Sequence, residues 1–249
     1  MRLLRMRALN AQEDRETPVL VYEGRFGDAI RILDAGAAAD LKAMNGDRAA
    51  AKLVEGAYAQ LLRGRMAAAN SAAEKALQNS ETLKIKFFAG RLFALTGATT
   101  RAQAMAAQLA ASIPAEPQAM AKIIEGNIAL AAGDARRAIQ LLTEANTALD
   151  TWIGRFDLGR ADLAAGQLLQ ADSEFDRCIT RQGEALSLFL DEEPTFGYFP
   201  AALYYKGRVR EALRSDGFAE SYKAYLAIRG NAGEDPLLPD VRKRAGVAK

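Results

Sequence analysis

The stretch EGNIALAAGDARRAIQLLTEA, residues 125–145, decides the fold. Gly126 lies among good helix formers, Gly133-Asp134 follows seven residues later, and Ala138, Leu142 and Ala145 continue at steps of four and three. Small and apolar residues at those steps share one helical face. A glycine ends a helix because it accepts the left-handed backbone, and an aspartate starts the next because its carboxylate accepts from first-turn amides. The segment therefore predicts two antiparallel helices across a tight turn, roughly from Pro117 to Ala132 and from Ala135 to Leu149.

The register recurs as Gly56, Gly64, Ala69, Ala73, Ala76, then Gly90, Gly97, Ala102, Ala106, Leu109. It returns as Gly159, Gly166, Ala171, Phe175, Cys178 and, with a longer turn, as Gly207, Gly217, Ser221, Tyr225. A half-copy, Gly24, Ala29, Leu33, Gly36, precedes them. The lead glycines are 34, 36, 33 and 48 residues apart, so the last interval carries an insertion. In each unit the lead glycine is expected to face the first alanine of the second helix, since only small side chains let crossing helices approach closely. Leu53, Leu92, Ile123, Leu130, Ile139, Leu142 and Leu169 are expected to fill the interior. One such pair cannot hide its apolar stripe alone, so neighbours must stack into an all-α, right-handed solenoid. From about Leu20 to Ala227 the pattern resembles the tetratricopeptide repeat, a 34-residue helix-turn-helix unit. That resemblance implies an α-α superhelix binding through the concave face lined by its first helices.

Composition narrows the chemistry. Among 249 residues there are 52 Ala against 18 aromatics, which favours close-packed helices. With no His, imidazole triads, His metal sites and His proton relays are excluded, and the single Cys178 excludes an intramolecular disulfide or a Cys cluster. A net charge of +2 does not point to nucleic acid. The opening MRLLRMRALN lacks the unbroken apolar run of a signal peptide, and no stretch is long enough to span a membrane, so a cytoplasmic location is expected. Asp172 and Glu174 differ by two positions and do not share a helix face. Asp191-Glu192-Glu193 lies at an expected helix end. No catalytic residue, metal ion or cofactor is expected, and the chain does not read as an enzyme.

The expected organisation is an extension over 1–19, a half-repeat at about 20–40, and repeats at about 49–79, 83–112, 119–149, 152–182 and 200–227, with an insertion at 183–199. Thr17-Pro18 falls where the first helix should lie, so that helix is oddly capped or starts at Pro18 and is short. The helix entering the insertion is expected to run on to Leu190 before Pro194 stops it. Phe196, Tyr198 and Phe199 then form a lid or a packing plug. A loop and a short capping helix from Leu237-Leu238-Pro239-Asp240 are expected over 228–249.

DTWIGRFDLGR at 150–160, ADSEFDRC at 171–178 and YYKGRVRE at 204–211 resemble the C-terminal tetratricopeptide region of large bacterial signalling proteins that often carry a Ser/Thr kinase domain. That resemblance implies a regulatory or partner-binding module. It does not imply kinase activity, because the sequence has no Gly-x-Gly-x-x-Gly loop, no His-Arg-Asp and no Asp-Phe-Gly.

Two residue groups are candidate sites. Arg91, Asn127, Arg160 and Arg208 each follow a lead glycine and would line the concave face, as a ladder for an acidic or carboxylate-bearing partner or as solvated surface. Arg155, Asp157, Glu174, Arg177, Arg181, Glu184, Tyr204, Tyr205 and Glu211 cluster around the insertion, as an ion-pair and hydroxyl network or as a pocket. Trp152 and Phe156 read as packing, and Cys178 as a buried filler without a partner base. The leading function is a scaffold for a protein or peptide. The alternatives are a small-ligand sensor with a pocket lined by Phe199, Tyr204 and Tyr205, and a self-associating module, a homodimer through exposed end repeats.

Overall fold

A computed structural model describes residues 17–186 and 198–247. The expected turn chemistry sets its geometry. Gly97 and Gly133 hold φ of 80° and 82°, and each ends a helix with its amide bonded to a carbonyl of the preceding turn. The Asp134 carboxylate accepts from Arg137 N at 2.9 Å, and Asn45 and Thr151 likewise cap their helices with side-chain oxygens. Pro114 precedes one helix and Pro117 sits in its first turn, where neither removes a needed donor.

The elements are α1, described over 17–23, α2 Phe26–Lys42, α3 Gly46–Leu62, α4 Met66–Asn79, α5 Leu83–Thr96 and α6 Thr99–Ala110. They continue as α7 Ala115–Ala131, α8 Ala135–Ala148, α9 Trp152–Ala164, α10 Leu168–Thr180, α11 Phe199–Ala212, α12 Phe218–Arg229 and α13 Leu238–Ala245. No strand occurs among the described residues. The pairs α3/α4, α5/α6, α7/α8, α9/α10 and α11/α12 are antiparallel neighbours, and the first helices stack directly, α5 on α3 and on α7, α7 on α9.

The pairs cross as tightly as the small residues suggested, but against different partners. Ala102, Ala138 and Ala171 are fully buried. Yet a Cβ on Gly126 would stand 2.7 Å from Leu142 Cγ, and one on Gly159 would stand 3.0 Å from the Phe175 ring. The glycine thus receives the large side chain one turn beyond the expected alanine. A Cβ on Gly90 would stand 2.6 Å from Ile124 Cδ1 on α7, so this glycine also lets neighbouring repeats close.

Leu92, Ile123 and Leu142 are buried, and Leu53, Leu130 and Ile139 pack on the core from its edge. Leu169 is instead 73% exposed. The buried stripe of α10 is Ala171, Glu174, Phe175 and Cys178. Leu169, two residues before Ala171, is turned by about 200° onto the opposite face. Nor does α10 run to Leu190. It ends at Thr180, and residues 182–186 form a 3-10 turn containing Gly183, held by Arg181 donating to Glu184 and Asp150. Leu190, the acidic run, Pro194 and Phe196 lie outside the described residues.

Candidate binding face

The first helices α5, α7 and α9 bring Arg91, Asn127 and Arg160 together around Asp157 of α9. Arg91 of α5 donates from Nε to Oδ2 and from Nη2 to Oδ1, both at 2.7 Å. Asn127 of α7 donates from Nδ2 to Oδ2 at 2.7 Å, and Arg160 donates from Nη1 to Oδ1 at 3.0 Å. Arg160 also donates to Asn127 Oδ1 at 3.1 Å. Burial alone would push the Asp157 carboxyl up, but Arg91, then Arg160 and Asn127, hold it below the usual carboxylate value. The same pairing outweighs burial at Arg91 and raises its guanidinium.

Aromatic rings enclose this cluster. Tyr198, at the start of α11, stacks on Tyr58 of α3 with ring centres 3.8 Å apart. The Arg91 guanidinium lies 5.2 Å from the centre of the Tyr198 ring, and that of Arg160 lies 5.9 Å from the Tyr205 ring. Tyr198 and Phe199 are both buried, and Tyr198 packs the end of the insertion against Tyr58 of α3 and Arg91 of α5.

Three of the four ladder residues are therefore brought together, but Arg91 and Asn127 are spent on Asp157 and have almost no free surface. Arg160 keeps 19% of its side chain exposed. Arg208 stands apart, donating to the Tyr204 hydroxyl at 3.0 Å, which in turn donates to Asp240 at 3.1 Å. Asp157, grouped by sequence with the insertion, is the centre of this cluster. Its position two residues before Gly159 on a first helix was the available signal.

The second group divides in two. Around the insertion, Asp150 accepts from Arg155 at 2.6 Å and from Arg181 at 2.8 Å, while Glu174 accepts from Arg155 at 3.0 Å and Arg177 at 3.1 Å. These pairs tie α9, α10 and the 3-10 turn together. Separately, Glu211 accepts from the Tyr222 hydroxyl at 2.8 Å and from Arg244 at 2.5 Å, binding α11 and α12 to α13. Tyr205 is enclosed by Phe156 and Phe175, each with ring centres 5.7 Å away, and Tyr204 touches Tyr205 and Tyr222. Tyr204 and Tyr205, expected to line a pocket, thus pack against the protein's own rings. Trp152 stacks on Phe156 and donates from Nε1 to the Cys178 carbonyl at 2.9 Å. Burial pushes the Cys178 thiol well up, away from a reactive thiolate.

A depression of about 440 Å³ lies on the outward side of α10, bordered by Leu169, Asp172, Asp176, Arg177 and Thr180. Among the described residues no group of three His, Cys, Asp or Glu side chains is placed to hold a metal ion. No helix there is long and apolar enough to cross a membrane.

No protein-family model and no curated protein matches the chain. Among solved structures it is similar to a chain of the crystal structure of the APC/C hetero-tetramer Cut9-Hcn1, at 16% identity and a TM-score of 0.51. The match covers 96% of this chain and 45% of that one, so this chain spans less than half the length of its structural neighbour. With the helix pairs above, this likeness shows the fold: an all-α, tetratricopeptide-like superhelix.

Proposed function

We propose that the chain is a non-catalytic scaffold that binds a protein or peptide partner, with the inner face as its recognition surface. The observation that supports this reading most is the convergence of Arg91, Asn127, Asp157 and Arg160 from three successive first helices. It ties three first helices together, with two cations opposing one buried carboxylate. Arg160 and Arg208 reach solvent beside the tyrosines and would favour an acidic segment of the partner. A cytoplasmic signalling role belongs to the same proposal and rests on the resemblance of residues 150–160, 171–178 and 204–211 to signalling repeat regions.

Affinity capture with the purified chain and with Arg160→Glu/Arg208→Glu tests the reading. A partner retained in fixed stoichiometry by the wild type and lost by the charge-reversed chain is expected. Equal retention by both folded proteins would remove the inner face from the account.

A further inference from the structure

The array curls until its last turn meets its first, and the contact is built from complementary backbone ends. The end of α1 and the turn into α2 present backbone groups to partners beyond their own helices, although the Val21 carbonyl also accepts from Gly24 N at 3.2 Å. Arg229, at the end of α12, donates from Nε to the Tyr22 carbonyl at 3.0 Å and from Nη2 to the Val21 carbonyl at 3.1 Å. Five residues on, the Glu234 carboxylate accepts from Gly27 N at 2.7 Å, so it caps α2 from 207 residues away. Glu234 also accepts from Arg63 at the end of α3 at 2.5 Å. Asp235 and the Tyr225 hydroxyl hold the Arg229 guanidinium in place, and Phe26 lies beneath it with the ring centre 5.2 Å away. Ala232 fits against Gly24, where a Cβ would stand 2.6 Å from the Ala232 Cβ.

Segment 229–235 therefore satisfies both signs of backbone end in the first repeat, the carbonyls with a cation and the amide with an anion. Elsewhere neighbouring repeats meet through apolar side chains, as at Gly90 and Ile124, or through side-chain hydrogen bonds, as at Asn127 and Asp157. At this junction charged side chains bond backbone groups, and Glu234 is 39% exposed at its rim. The α1–α2 turn, part of an end repeat, is covered here by the same chain.

We infer that Arg229 and Glu234 form a latch that closes the superhelix on itself, and that this seam is where the array opens to admit a partner to its inner face. That the seam admits a partner rests on the proposed function, whereas the latch itself rests only on the contacts of Arg229 and Glu234. A closed ring would be found even if the inner face bound nothing.

The test is a distance measurement by double electron–electron resonance. Spin labels are placed at Arg31→Cys on α2 and Lys243→Cys on α13, both exposed, while Cys178 is buried and spared. The otherwise unaltered chain should give a single narrow distance. Glu234→Gln and Arg229→Gln should add a longer, broader population while circular dichroism keeps the helical signal. Glu234→Gln decides the matter should Arg229→Gln fail to fold, because its side chain lies at the rim. A broad distribution in the parent chain, or an unchanged narrow one in folded Glu234→Gln, would overturn the latch.

Discussion

Arg91 and Asp157 lie 66 residues apart in sequence and form a two-pronged ion pair with both contacts at 2.7 Å, wholly inside the superhelix. Asp157 accepts four hydrogen bonds, from Arg91, Asn127 and Arg160. Removing the carboxylate leaves the buried Arg91 and the half-buried Arg160 without a counter-charge. Asp157→Ala is expected to cost about 3–5 kcal/mol in urea unfolding, as for other broken buried pairs. The folded-state value of Asp157 is depressed, so its contribution is present above the unfolded value near 3.9 and is lost as pH falls through the folded one. Acid unfolding of the wild type should be steep there, and that of Asp157→Asn shallower.

Asp162 gives the opposite pH dependence. Burial, then the nearby charge of Glu174, pushes its carboxyl up to about 6. The folded state thus binds this proton more tightly than the unfolded chain does. Stability from this group is fully present below about pH 3.9 and is lost as pH rises through about 6. Asp162→Asn should raise the melting temperature at pH 8 and leave it unchanged at pH 4, which paired melts at the two pH values would check.

Met44, in the turn between α2 and α3, holds φ at 60° with its side chain almost fully in solvent. A left-handed backbone costs a side-chain-bearing residue about 1–2 kcal/mol, part of which glycine returns as unfolded-state freedom. Met44→Gly should therefore stabilise the protein by up to about 1 kcal/mol. Thermal unfolding with no gain would show that the turn relaxes around methionine.

The crossing of α7 and α8 depends on Gly126. A methyl group there would meet Leu142 Cγ at 2.7 Å, so Gly126→Ala should destabilise by about 1–3 kcal/mol through overpacking. Adding Leu142→Ala removes the clash, and the double variant should lose less than the sum of the two single variants.

The helical period was legible in Gly126, Gly133, Ala138 and their copies because it arises within one repeat. The partner taken by each glycine was not, since Leu142 and Phe175 reach the crossing from a turn beyond the small residue that marks it. Asp157 escaped notice as a centre for a related reason. Its contact with Arg91 exists only once two repeat steps have accumulated curvature, and no local pattern records that angle. Arg229 and Glu234 depend on the curvature of the whole array, so the closed seam is invisible to any reading confined to neighbours. Leu169 misled because apolar character alone does not say on which side of α10 a residue lies.

A double-mutant cycle between Arg91→Gln and Asp157→Asn, read by urea unfolding, tests the stacked inner face most directly. Contact between the two residues requires the third, fourth and fifth first helices α5, α7 and α9 to lie side by side as described. A coupling energy of about 1–3 kcal/mol is expected for two residues in one buried network. Losses that add to within about 0.5 kcal/mol would place the two residues apart and contradict the account.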